Sequence, residues 1–343
     1  MGKTMKVAAD RAFDETKTVL PAEVARGVYM QNAPSLQALK LMHLMIGTAG
    51  GRMAEDVSHQ IRLSDIRRID GMRNHDRASL TPLFQELAAA VMTHDDPEKM
   101  IVTIGGLLDE ARLDYRHEVS GDLLVTWWFR RTFRRMAEES NHWAILDRQT
   151  VFHLGSKYSV LLFQHIASLT NLDHTNSRTF TVPELRAVLG IPEGKVKRFA
   201  DLKKDVLTPA IEEISQLSRF TLTATPRKIG RTVASVEISW TEKETEAKVD
   251  TKRELDRPKL GRKARRDGSV ETVSASQAFP EAGSIVYSPW GDVARAELPQ
   301  PRRDLDLVAD DFRRWCAGRG IDLTAKNIET TFRGFCRKVE PAR

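Results

Sequence analysis

The sequence predicts an α+β chain, mainly α, that uses one order of helices and strands twice and closes with a small helical extension. Three observations predict this. Between Phe199 and Trp240 an amphipathic helical period gives way to two alternating strands across a basic turn. The same order (helix, short strand, helix, helix, strand pair) can be read between Leu36 and Phe129. Beyond residue 243 the composition turns basic and poor in large apolar groups before two short helical patterns return.

The later copy has the stronger signals. Phe199, Leu202, Val206, Ala210, Ile214 and Leu217 recur at three- and four-residue intervals and fall on one stripe. Pro209 removes a backbone donor and predicts a kink over Asp205 to Pro209. Phe220, Leu222 and Ala224 alternate outward, and Val236, Ile238 and Trp240 alternate back. Pro226 to Arg231 is the expected turn, with Gly230 able to adopt a positive φ. Lys195, Lys197, Arg198, Lys203 and Lys204 crowd the helix start, where free N–H groups and the helix dipole already attract anions. A solvated helix face would fit these cations alone. Arg227, Lys228 and Arg231 in the turn add a second basic element and point to DNA, with a helix in a groove and a hairpin beside it.

In the earlier copy, Leu36, Leu39, Leu41, Met42, Met45 and Ile46 predict a helix capped by Ser35 and stopped by Gly47, Gly50 and Gly51. His59 to Leu63 reads as extended and Ser64 to Ile69 as a short helix. Leu80, Leu83, Leu87 and Val91 predict a longer helix that begins near Arg73 to Arg77. Met100 to Ile104 and Leu123 to Phe129 read as strands, with Ala111 to Tyr115 a further candidate. Arg67, Arg68, Arg73, Asn74 and Arg77 could reach phosphates or base edges, since Arg suits guanine and Asn suits adenine. They fit a charged inter-helix turn equally well. Arg131 to His142 predicts a connecting helix.

The chain has 343 residues, 41% hydrophobic and 29% charged, which allows two or three domains. Its formal net charge of +6 suits a polyanionic partner. No apolar run is long enough to span a bilayer, and the polar start does not read as a signal peptide. Two cysteines, Cys316 and Cys336, exclude a disulfide framework and fit a reducing cytoplasm; packing as small apolar groups is their expected role. No histidine lies two positions from another, as a nicking enzyme's metal pair would require. Gly190 to Lys195 is one residue short of a phosphate-binding loop and is followed by Val196, not Ser or Thr. Neither catalytic residues, nor a metal, nor a cofactor are expected.

Leu202 to Ile214, the Lys-x-Gly-Arg turn and Val233 to Trp240 resemble the second winged-helix domain of iteron-binding plasmid replication initiators. Ser156 to Phe163 is similar to that domain's opening helix and Thr181 to Gly190 to its middle helix. The likeness is specific over about residues 150–240, weaker over 20–145 and absent beyond 245. Ser215 departs from the family's usual Asn. The resemblance implies two tandem winged-helix domains that bind directly repeated origin sites on double-stranded DNA. It also implies host helicase-loading partners and a monomer–dimer equilibrium carried by the first domain. The expected organisation is a flexible leader (1–20), a first winged helix (21–142), a second (143–243), a disordered basic linker (244–302) and a helical segment (303–343). A transcriptional regulator of the same fold and a scaffold that binds no DNA are the alternative classes.

Overall fold

The computed structural model describes residues 2–341 except 13, 32, 69–71, 73, 117–122, 171, 173–174, 257–278, 287 and 326–327. Two compact units divide the chain, Met1–Arg266 and Asp267–Arg343.

The first unit begins with a correction. Within 1–20, expected to be a flexible leader, residues 3–10 and 17–20 are ordered into helix and strand. Helix α1 (Lys3–Asp10) buries Thr4, Met5 and Ala8. Strand β1 (Lys17–Pro21) pairs antiparallel with residues 143–147, Lys17 opposite Asp147. Thr4 Oγ1 lies 3.0 Å from both Ser140 Oγ and the His142 carbonyl and can donate to either. All these partners lie more than 120 residues away, so local composition shows only polarity.

After α2 (Ala22–Arg26) and β2 (Val28–Gln31), the first copy opens with α3 (Leu36–Ala49), whose start is capped by Ser35 accepting from the Ala38 amide. Gly47 lies inside this helix and does not stop it; a Cβ there would meet the Arg148 guanidinium at 2.6–2.8 Å. Gly50, at φ 52°, ends it. Strand β3 (His59–Arg62), α4 (Leu63–Arg67) and α5 (Arg77–Ala89) follow. The expected pairing of Met100 to Ile104 with Leu123 to Phe129 does not form. Strands β4 (Val91–Asp96) and β5 (Ile101–Gly105) make an inserted hairpin, ordered β2-β4-β5. The hairpin of this copy is β6 (Leu108–Asp114) with β7 (Leu124–Phe129), ordered β3-β7-β6. Val91 fits the helical stripe by spacing, yet it starts β4, because pairing with β2 competes successfully for that segment.

Helix α6 (Arg131–Glu139) and β8 (Trp143–Asp147) lead through α7 (Arg148–His153) to the second copy. There α8 (Lys157–Leu169), β9 (Ser177–Thr181) and α9 (Val182–Val188) precede a helical run made of α10 (Phe199–Asp201), a π-helical turn (Leu202–Leu207) and α11 (Thr208–Leu217). The π turn sits where Pro209 predicts a kink. Proline offers no N–H, and its ring displaces the carbonyl four residues back. Strands β10 (Phe220–Ile229) and β11 (Thr232–Glu242) finish the copy, ordered β9-β11-β10. In both copies the strand after the first helix thus pairs with the last strand.

One hydrophobic core runs through both copies. Polar contacts tie the earlier half of this unit to the later one. Lys40 Nζ, fully buried, donates to the Phe152 carbonyl at 2.6 Å. His43 Nε2 lies 3.2 Å from Gln164 Oε1. Arg26 donates from Nε to Ser168 Oγ and from Nη2 to the Ser168 carbonyl.

The disordered linker expected over 244–302 is also corrected in part. Helix α12 (Thr245–Asp256) packs Leu255 into the first core. The cations from Arg257 to Arg266 lie outside the described residues. Phe279, Ile285, Trp290 and Leu298, expected to be linker, join the buried residues of α13 (Pro289–Glu297), α14 (Leu305–Ala317) and α15 (Ile328–Cys336). Phe279 centres an aromatic cluster, with Trp290, Phe312 and Phe332 rings 4.8–4.9 Å away. The C-terminal helices therefore have a core of their own. Cys316 and Cys336 are buried in it, and burial first, then the charge of Glu297, pushes the Cys336 thiol up to about 12.

Candidate nucleic-acid interface

In the second copy the helical stripe is buried as spaced: Leu202, Val206, Ala210, Ile214 and Leu217 are all in the core. Burying each large aliphatic side chain contributes about 1.5–3 kcal/mol, which fixes the direction of the opposite face. Lys203 and Lys204 are on that exposed face, and Lys195, Lys197 and Arg198 are exposed just ahead of it. Arg198 stands at the helix start without a side-chain cap and lies 3.7 Å from Asp201. Lys195, Lys197, Lys203 and Lys204 have no ion pair with any described residue.

The wing is longer and tighter than expected. The strands run to Ile229 and resume at Thr232, leaving Gly230, at φ 63°, and Arg231 as a two-residue turn. Arg227 and Lys228 are therefore strand residues flanking a register shift. Arg227 is held by Glu237 at 2.6 Å, while Lys228 and Arg231 are exposed without an ion pair among the described residues. The hairpin extends beyond β9, since Ser235 opposite Thr181 is the end of that ladder towards the wing tip. Such a protruding tip exposes cations to a partner.

The first copy brings its helix start and hairpin end into contact. Arg77, the first residue of α5, lies over the Tyr115 ring just past β6, at 4.3 Å. Arg112 covers Trp128 at 4.9 Å, and Arg116 is exposed while paired to Asp114. Trp127 is core and Trp128 is not. Tyr115, Arg112 and Arg116 were not singled out from sequence; the run Arg112-Leu-Asp-Tyr-Arg116, with an aromatic between two arginines, was the available signal. The acidic group Asp109, Glu110 and Asp114 is matched by Arg130, Arg112 and Arg116. Arg67 donates to the His75 carbonyl at 2.8 Å, and Arg68 is 3.1 Å from Asp65. Asn74 is exposed; Arg73 lies outside the described residues.

Three supporting residues have contacts that spacing alone did not show. Glu213, one of the acids on the helix's later half, is buried and accepts from the Gly155 amide at 2.8 Å and Ser159 Oγ at 2.6 Å. It locks α11 to α8. Ser215, the departure from the family pattern, accepts from the Leu222 amide at 2.9 Å and so supplies a cap to the hairpin start. Arg186 donates from Nη1 to the Lys195 carbonyl at 3.0 Å and from Nη2 to the Lys197 carbonyl at 2.7 Å.

Each copy thus has the helix–strand–helix–helix–hairpin order of a winged helix, a fold that offers a helix and a wing to a DNA groove. Residues 181–240 match the family model described as initiator Rep protein, WH2 (Rep3_C), the segment that resembled that domain by sequence. Among solved structures, the chain is similar to the Pi initiator protein in complex with iteron DNA, at 16% identity and TM-score 0.48, covering 67% of this chain and 98% of that one. Domains 2 and 3 of RctB are similar at 10% identity and TM-score 0.37, covering 60% and 82%. No curated protein matches the chain.

Proposed function

We propose that this protein is a plasmid replication initiator that binds directly repeated sites at its origin through both winged helices. One observation carries the reading. Cations without an ion pair among the described residues stand both at the start of the helical run from Phe199 and at the protruding tip of the hairpin that follows it. The chain runs down α11 and returns along β10, which it packs against. That reversal favours a single face for the helix start and the wing tip. The first copy supports the same layout, because Arg77 and Tyr115 are in contact there.

Lysine and arginine contacts to phosphate set position and most of the affinity, while a few side chains read bases. With six to ten phosphates neutralised, affinity falls by roughly a thousandfold or more between about 50 and 200 mM salt. Several copies loading on adjacent repeats strain the neighbouring duplex, and host helicase-loading proteins then enter.

Self-association fits β5. It ends its sheet among the described residues and exposes Ile101, Val102 and Ile104, the last to 65%. An unpaired apolar strand edge of this kind favours pairing with a second copy. The test is maintenance in cells of a plasmid that carries only the repeats and adjoining AT-rich DNA, with the protein supplied in trans. Maintenance supports initiation. Binding to a lone palindrome without maintenance would make the protein a regulator instead.

A further inference from the structure

The two winged helices look unrelated in sequence until their strands are placed in register. Ile61-Arg-Leu-Ser-Asp-Ile-Arg67 then falls opposite Phe180-Thr-Val-Pro-Glu-Leu-Arg186, apolar, apolar, acidic, apolar and arginine in the same places. The arginine is the fifth residue of the middle helix each time, and both arginines reach the turn before the next helix. Arg67 Nε donates to the His75 carbonyl at 2.8 Å. Arg186 spans the Lys195 and Lys197 carbonyls at 3.0 and 2.7 Å.

The residue between those two carbonyls is Val196, held at φ 47°. A β-branched residue rarely adopts the left-handed region, and such a conformation persists only where its surroundings enforce it. Here Val196 packs against the core on one side, and a planar guanidinium grips the carbonyls on both flanks. The fork geometry matters, because a lysine ammonium is a single point of charge and cannot bridge two fixed acceptors in the same way. No described carboxylate pairs with Arg186. Its donors are committed to the turn.

We propose that Arg186 is a positioning residue that holds Lys195 and Lys197 in a preformed DNA-binding geometry. This deepens the DNA-binding reading and rests on it. The clasp keeps ordering of the basic turn from being charged against binding.

The experiment uses full-length Arg186→Gln, Arg186→Lys, Val196→Asn and the Arg186→Gln/Val196→Asn double variant. Two readouts are amide hydrogen exchange of residues 194–198 without DNA, and salt-dependent binding to duplex DNA carrying direct repeats. Arg186→Gln should speed exchange in the turn and weaken binding about tenfold, with a salt slope shallower by about 0.9 for each lysine contact released. Arg186→Lys should be as weak as Arg186→Gln. Asn is at ease in the left-handed region, so Arg186→Gln should cost distinctly less in the Val196→Asn background.

Wild-type binding by Arg186→Lys would mean that charge matters and not the clasp, and would overturn the proposal. So would unchanged exchange in Arg186→Gln, or equal cost in both backgrounds. Absence of wild-type DNA binding would sink the functional reading, and the exchange measurement would still decide the clasp.

Discussion

Acidification should loosen the first unit and leave the second untouched. His43 and His165 are almost wholly buried on α3 and α8, and burial holds their folded values at about 4 and about 3. Arg178 and Arg26 depress His165 further, while the Gln164 contact partly offsets the burial of His43. Between these values and the unfolded value near 6.5, the unfolded chain binds more protons. Stability therefore rises with pH through this window and is lost as pH falls from about 6.5 towards 4. Both folded values lie a unit or more below pH 5, so the loss by pH 5 is set almost wholly by the unfolded value. It amounts to about 2 kcal/mol for each of these two histidines, about 4 kcal/mol together, and His59, His75 and His94, also lowered by burial, add to it in the same direction. That is a large share of a typical domain stability of about 5–15 kcal/mol. Residues 267–343 contain no histidine, so the transition of that unit should not move. Urea titrations at pH 7.5, 6 and 5 check this, with His165→Phe, which keeps an aromatic ring beside Phe180, losing about 2 kcal/mol of the effect. Equal stability at pH 7.5 and 5, or an unaltered pH slope in His165→Phe, would refute the reasoning.

Other outcomes are expected from single substitutions. Glu213→Ala leaves the Gly155 amide without its acceptor and Ser159 without its partner; it should destabilise the first unit by about 2–4 kcal/mol in chemical denaturation. Phe332→Ala opens the aromatic cluster around Phe279 and should cost about 3–5 kcal/mol. It should lower the melting of the C-terminal unit alone, measured by calorimetry. Ile104→Lys on the exposed edge of β5 should shift sedimentation towards monomer without changing the circular dichroism spectrum; an unchanged mass at every concentration would remove β5 from self-association.

What was legible in the sequence was what local spacing controls. The stripe from Phe199 to Leu217 and the cap at Ser35 each depend on residues within a few positions, and each is present; ahead of Pro209, where a kink was expected, the helix has a π turn. Val91 misled because it continues the Leu80–Leu87 spacing, while its competing partner in the ladder, Gln31, is 60 residues away. The N-terminal strand was hidden in the same way, by pairing with Trp143–Asp147. Phe279 lies ahead of the helices, without a spacing to mark it as core, and the short Trp290, Val293, Ala294 and Leu298 stripe was passed over because the composition around it reads as linker. At the site, residue type gave the cations but not their engagements. Arg227, Arg198 and Arg68 face carboxylates, and Arg67 is spent on a backbone carbonyl, whereas Lys204 and Arg231 have no described ion-pair partner.

Those last two residues allow the sharpest test. Hydroxyl-radical footprinting on DNA with direct repeats, across a salt series, would compare the wild type with Lys204→Ala and Arg231→Ala. Predicted is protection recurring once per repeat on one side of the duplex, with each variant weaker on all sequences and its salt slope reduced by about 0.9. Identical footprints and slopes for the three proteins would contradict a shared DNA face for helix start and wing tip.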